Sequence, residues 1–219
     1  MFQEIVLIVF VIGQIVVRFL QMFPPDLVRP IMNVSLQGSL LIAAQQLRDP
    51  NFHKSVVLML QHSSESAMGL VVNHPTGMTI GKALAQHSPV NGLDAPVFCG
   101  GPVETNAVFV LHDSVVFGNQ DQEIAPGLFL AGSEGSFDKI VRQEAPPETS
   151  IQFRLISGYA GWGGGQLESE MERGDWNVLP CAGILLLDED PYGLWELCMR
   201  RMNRATSVLP QGNHNPNWN

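Results

Sequence analysis

Hydrophobic residues in the middle of this chain come in short dense runs rather than long periodic stretches. Leu36–Ala43, Ser55–Gln61 and Gly69–Asn73 are such runs, and their length and flanking polar residues predict strands. Asn73-His74-Pro75-Thr76-Gly77 is turn chemistry. Thr79 is placed to cap a short helix over 80–86. Further strands are expected at Ala95–Cys99, Ala107–Leu111 and Gly127–Ala131. Ser136 can cap a helix running to about Gln143, with Asp138 near the positive end of its dipole. Ile151–Ile156 alternates apolar and polar positions, the pattern of a half-buried strand.

Ser157–Gly165 then sets glycines around Tyr159 and Trp162, which predicts a tight irregular turn. A short helix over Gln166–Arg173 comes next, and Ala182–Leu187 reads as a buried strand. Asp188-Glu189-Asp190 and Pro191 open a last helix in which Leu194, Leu197, Cys198 and Met202 recur at helical spacing. Several strands in succession before the first long helix predict an α+β fold with a mixed or antiparallel sheet.

The first residues break this pattern. Residues 5–23 are strongly apolar and as a helix would span about 28 Å, close to the hydrocarbon thickness of a bilayer. The segment lacks the basic start and small-residue cleavage site of a secretory signal. Three readings stand: an extension upstream of the true start, a membrane tether, or an added core or interface helix. As a tether, Arg18 and Arg29 on its C-terminal side keep the domain in the cytoplasm. Pro24, Pro25 and Pro30 separate it from the remainder of the chain. The expected organisation is residues 1–31 as the extension, 32–208 as the domain and 209–219 as a polar tail.

Charge narrows the possible partners. Of 219 residues, 12 are Lys or Arg and 21 are Asp or Glu, a formal net charge of −9. Unaided binding to a phosphate backbone needs clustered positive charge, and Arg200, Arg201 and Arg204 are the densest basic spot. Cys99, Cys181 and Cys198 are odd in number and lack ligand or redox spacing, which suggests a reducing cytoplasm and no disulfide framework.

Candidate chemistry is sparse. The sequence contains no G-x-S-x-G, and Gly132-Ser133-Glu134-Gly135-Ser136 has its serines at other offsets. Neither phosphate-cradling glycine motif occurs. The glycines before Gln166 lack a basic neighbour, and Glu168, Glu170 and Glu172 would repel an anion. The six histidines show no metal-ligand spacing. His62 and His112 end predicted strands, where loops could bring them together, and a hydrogen-bonded strand-end histidine is the default. Glu168 and Glu172 share a helix face, with Glu170 pointing elsewhere. No catalytic residues, metal or cofactor are expected.

The ordered set Gly38–Ala43, Leu47-Arg48-Asp49-Pro50-Asn51-Phe52, Ser55–Leu58, Ala67–Asn73, Gly100-Gly101-Pro102-Val103, Phe109–His112 and the glycine-tryptophan segment resembles the YqgE/AlgH family, also called UPF0301. The resemblance runs from about Leu36 to about Met202. It implies a mixed, largely antiparallel sheet closing into a barrel-like core with peripheral helices. It marks Asn73, Gly100, Gly101, Pro102, Gly158, Tyr159, Gly161, Trp162, Gln166 and Glu168 as motif positions. The family's transcriptional-regulator label rests on genetic association, and the family has no agreed catalytic residues. This chain departs from it at His74, where arginine is usual, and at Gly164, where proline is frequent.

Two functional readings are open. The first is a non-enzymatic cytoplasmic domain that binds a protein partner, with a regulatory effect transmitted indirectly. Its contact residues would be Asn73, Gly100, Gly101, Pro102, His112, Tyr159, Trp162, Gln166 and Glu168. The second is an enzyme or small-molecule sensor whose pocket beside the glycine segment uses His112, Tyr159 or Glu168. The alternative for the two rings is that they close the end of the barrel.

Overall fold

In the computed structural model, residues 35–85, 93–118, 121–142, 151–181 and 185–207 are described. The apolar N-terminal segment and the polar tail lie outside these residues, as do His87 and His214. The strands are β1 (Ser39–Ala43), β2 (Val56–His62), β3 (Ser66–Val71), β4 (Pro75–Thr79), β5 (Pro96–Cys99), β6 (Val103–His112), β7 (Gln122–Ala125), β8 (Leu128–Leu130), β9 (Phe153–Gly163) and β10 (Trp176–Pro180). The helices are α1 (Ile80–Leu84), α2 (Val115–Gly118), α3 (Glu134–Val141), α4 (Gln166–Glu172), α5 (Leu185–Asp188) and α6 (Leu194–Ser207).

The sheet runs β10-β1-β2-β3-β9-β6-β8-β7, with β4 and β5 joined on at β9. Its ladders are antiparallel except β5 on β9. It curls into a half-barrel, an α+β fold as the order of elements predicts. Leu40, Ile42, Val56, Leu58 and Leu70 face the inner core, which is closed by Leu194, Trp195 and Cys198 of α6. Their neighbours Leu41, Ala43, Val57, Met59 and Val71 face an outer cluster beneath Leu167 of α4. β1 and β2 are thus apolar on both faces, which is why their sequences read as dense runs.

β9 organises the sheet. On one edge it pairs with β6; on the other it pairs first with β5 and then with β3. Ile156 lies in the inner cluster, yet Ala160 and Trp162 lie in the outer one and Tyr159 packs inward. The reversal occurs at Gly158, whose φ of 76° is readily adopted only by glycine. Opposite it the β6 register shifts between Val103 and Val108. The expected irregular turn at Ser157–Gly165 is therefore mostly strand, and the chain turns only at Gly164-Gly165.

Other expectations need correction. Ser133, not Ser136, caps α3: its side chain accepts from the Ser136 N–H. Pro75–Thr79 pairs with β5 as a strand instead of remaining a turn. Residues 185–187, expected in a strand, are helical. The last helix begins at Leu194, three residues beyond Pro191. Thr79 caps α1 as expected, accepting from the Lys82 N–H.

Candidate functional site

The glycine-tryptophan segment holds α4 against the sheet through side chains on both elements. Gly165, with φ 72°, turns the chain into α4. Gln166 Oε1 accepts from the Gly163 N–H at 3.1 Å, and its Nε2 donates to Glu170 Oε1 at 3.0 Å. Glu170 Oε2 accepts the indole N–H of Trp162 at 2.9 Å and that of Trp176 at 2.8 Å. The two indoles meet edge to face with centroids 6.0 Å apart, and Phe52 stacks on Trp162 at 6.2 Å. Trp162 is 5% exposed, so this ring is part of the wall and not an offered surface.

Glu168 belongs to the same helix and meets His62. His62 Nδ1 accepts from the Leu36 N–H at 3.3 Å, which leaves the ring proton on Nε2 to donate to Glu168 Oε1 at 2.9 Å. His62 and His112 are not brought together. His112 Nδ1 accepts from the Ser114 N–H, and its Nε2–H donates to Asp121 Oδ2 at 3.0 Å. Asp121 also accepts from Ser136 Oγ and from the Gly132 N–H. The His112 and Asp121 side chains are fully buried, and burial holds the His112 pKa below 6.5 against the pull of Asp121.

His112, Tyr159 and Glu168 do not converge. Along the β6–β9 ladder, His112 of β6 pairs with Phe153 at one end while Tyr159 of β9 pairs with Val103 at the other, and Glu168 sits on the outer face. Among the described residues no group of three or more His, Cys, Asp and Glu side chains could hold a metal ion.

Asn73 is a backbone clamp. Its Oδ1 accepts from the Val56 N–H at 2.7 Å and its Nδ2 donates to Lys54 O at 2.9 Å. Lys54 has φ 53°, a left-handed conformation that costs a non-glycine residue about 1 kcal/mol. The clamp holds the turn into β2 in that conformation. His74 beside it lies 3.4 Å from Ser55 Oγ, and burial lowers its pKa.

Gly100 and Gly101 let β5 cross onto β9. A Cβ on Gly100 would lie 2.2 Å from Gly158 O, and one on Gly101 would lie 2.3 Å from Tyr159 C. Above this crossing is an exposed lip formed by Pro102, Glu104, Thr105 and Asn106. Tyr159 stands beside it, half-buried against Phe109. Burial, and then the nearby Glu104 charge, raises the phenol pKa above 10.0. Glu104 has φ 42°, and Ser157 Oγ donates to Thr105 O beneath it.

Glu170, Trp176, Phe52, Asp121 and Arg154 are organising residues that the sequence alone does not single out. Arg154 is 5% exposed; it donates to Val72 O and Glu189 O and stacks on Phe98. Burial lowers its pKa to about 10. Its place in the alternation of β9 signals a polar side chain, and the inward direction comes only from the sheet.

These features define an α+β half-barrel whose polar motif residues are mostly spent on internal bonds, with one strained exposed lip. The chain belongs to the AlgH-like family (DUF179), whose profile matches residues 40–207. It is 36% identical over 181 residues to a UPF0301 protein of Myxococcus xanthus, covering 81% of this chain and 97% of that one. A UPF0301 protein of Stenotrophomonas maltophilia is 37% identical over 171 residues, covering 76% and 89%. The solution structure of the AlgH protein from Pseudomonas aeruginosa superposes with a TM-score of 0.63 at 28% identity, covering 85% of this chain and all of that one. A crystal structure from Corynebacterium diphtheriae, at 22% identity and TM-score 0.57, shares the fold, covering 84% of this chain and 92% of that one. Among the described residues no helix is long and apolar enough to cross a membrane.

Proposed function

We propose that this chain is a non-catalytic, cytoplasmic protein-binding domain that docks its partner on the lip of Pro102–Asn106 and Tyr159. Any effect on gene expression then passes through that protein contact. The observation that carries the reading is Glu104, an exposed non-glycine residue held at φ 42° beside a half-buried tyrosine. Backbone strain of this kind persists where the surroundings over-determine it, and it concentrates at recognition sites. Gly100 and Gly101 set the floor of the lip by their close approach to β9. Trp162, Gln166 and Glu168 fix β9 and α4 from the opposite face, so they act as support for the lip. Glu104 and the phenol favour a partner segment bearing Lys or Arg. The net charge of −9 opposes direct contact with DNA.

The test is a cross-linked pull-down of the full chain from its native cells, comparing wild type with Glu104→Arg and Tyr159→Phe. Loss of the same captured protein in Glu104→Arg, with the circular dichroism spectrum unchanged, supports the reading. Equal capture by wild type and Glu104→Arg overturns it. Tight binding to duplex DNA at physiological salt overturns the indirect route.

A further inference from the structure

We infer that the edge of β10 facing away from β1 is a self-association surface whose partner is a second copy of this chain. This rests on a different part of the sheet from the lip and stands or falls separately. Among the described residues β10 ends the strand order and pairs only with β1. Ala44 N–H donates to Asp175 O at 2.9 Å, so by antiparallel alternation the bonded pairs beyond it are Ile42 with Asn177 and Leu40 with Leu179. The backbone groups of Trp176, Val178 and Pro180 therefore point away from β1. Among the described residues no backbone group bonds to that side of β10.

The sequence of the edge selects its occupant. Proteins guard open edges with charged side chains or proline, and Trp176-Asn177-Val178-Leu179-Pro180 contains no charge and carries proline only at its last position. Val178 is 41% exposed although its strand neighbour Trp176 is buried. Pro180 has no N–H, so the outward side offers donors only at Trp176 and Val178 but acceptors at Trp176, Val178 and Pro180. An antiparallel pairing about a two-fold axis through Val178 satisfies every outward donor. Each Val178 N–H meets the Val178 carbonyl of the second copy, and each Trp176 N–H meets the Pro180 carbonyl of the second copy. The missing donor of Pro180 falls on the end pair, where it costs least. The two Val178 side chains then cover one another, and the curled sheet continues from one subunit into the next. Such an isologous contact closes on itself and does not propagate.

The contact is small, so association is concentration-dependent. Sedimentation of the full chain over roughly a hundredfold range of concentration is expected to show a monomer–dimer equilibrium. Val178→Pro removes the central donor, and Val178→Lys sets like charges face to face while leaving the backbone intact. Both are expected to raise the dissociation constant by about tenfold or more. Amide exchange supplies an internal control. Trp176 and Val178 amides are protected only in the dimer, whereas Asn177 and Leu179 amides bond to β1 and are protected in both states. A chain that stays monomeric throughout, with the Trp176 and Val178 amides exchanging as surface groups, overturns the inference. So does a dimer that both variants leave intact. An extended segment of another protein as the true occupant of β10 gives the first of these results.

Discussion

Trp162 on β9 and Trp176 on β10 donate their indole N–H groups to the same oxygen of Glu170, at 2.9 and 2.8 Å. The two strands lie on either side of β1, β2 and β3 in the sheet, so one carboxylate on α4 ties distant parts of the curved wall. Glu170→Ala leaves two buried indole donors without an acceptor, each costing about 1–3 kcal/mol, so the loss of stability is expected to be about 2–6 kcal/mol. Glu170→Gln retains one acceptor oxygen and should lose less than half of that. Urea unfolding followed by tryptophan fluorescence reads both values directly. Equal stability of Glu170→Ala and wild type would show that the carboxylate is incidental.

Asn73 and Lys54 form a second coupled pair. Asn73→Ala removes the acceptor for the Val56 N–H and the donor for Lys54 O, and it frees Lys54 from its left-handed conformation. The expected cost is about 2–4 kcal/mol. Lys54→Gly should gain about 1 kcal/mol in the wild type, where the clamp holds the left-handed φ that glycine adopts without penalty, and less in the Asn73→Ala background, where Lys54 is already released. A double-mutant cycle measures the coupling, and strict additivity would contradict the clamp.

The strands buried on both faces are legible because β1 and β2 carry apolar residues without interruption. β10 is not, since Trp176 stands between Asp175 and Asn177 and its partner β1 is remote in sequence. The apolar run ending at Leu187 suggests a strand because so short a run cannot by itself distinguish strand from helix. The motif glycines suggest a turn, whereas Gly158 lets a continuous strand exchange its faces. Helical spacing sets Glu170 apart from Glu168 and Glu172, but only the sheet beneath α4 shows that this direction leads to two indoles. The family resemblance marks the motif positions as a group and does not distinguish buried Asn73 and Trp162 from exposed Pro102.

His74 and His112 give the domain a predictable response to acid. Burial lowers both pKa values below 6.5 in the folded state. As pH falls through 6.5 the unfolded chain takes up these protons first, so it is favoured and stability decreases. The decline continues until the folded pKa values are passed. Their contribution is thus present above pH 6.5 and lost on acidification. His112→Asn should be less stable than wild type at neutral pH, because the bond to Asp121 is disturbed, yet show a shallower dependence on pH. Urea midpoints from about pH 7.5 to about 5 measure the slope. An unchanged slope in His112→Asn would assign the acid response to other groups.

Glycines within one motif should respond to the same substitution in opposite directions. Gly158 has φ 76°, and a Cβ there would lie 2.6 Å from Gly101 O and 3.1 Å from Val103 O. Gly158→Ala therefore adds conformational strain to overlap with fixed backbone, and the expected cost is about 3 kcal/mol or more. Gly163 does not have a positive φ, and a Cβ there meets nothing within 4 Å. Gly163→Ala should instead stabilise the domain by about 0.4–1 kcal/mol, because alanine restricts the unfolded chain more than glycine does. Thermal unfolding of the two variants decides whether the motif is glycine-rich for a single reason. If both lose stability alike, close packing extends to Gly163, and the segment is constrained along its length. If only Gly158→Ala fails, the requirement lies at the point where β9 turns its side chains from the inner core to the outer one. The lip beside Tyr159 then owes its shape to that residue.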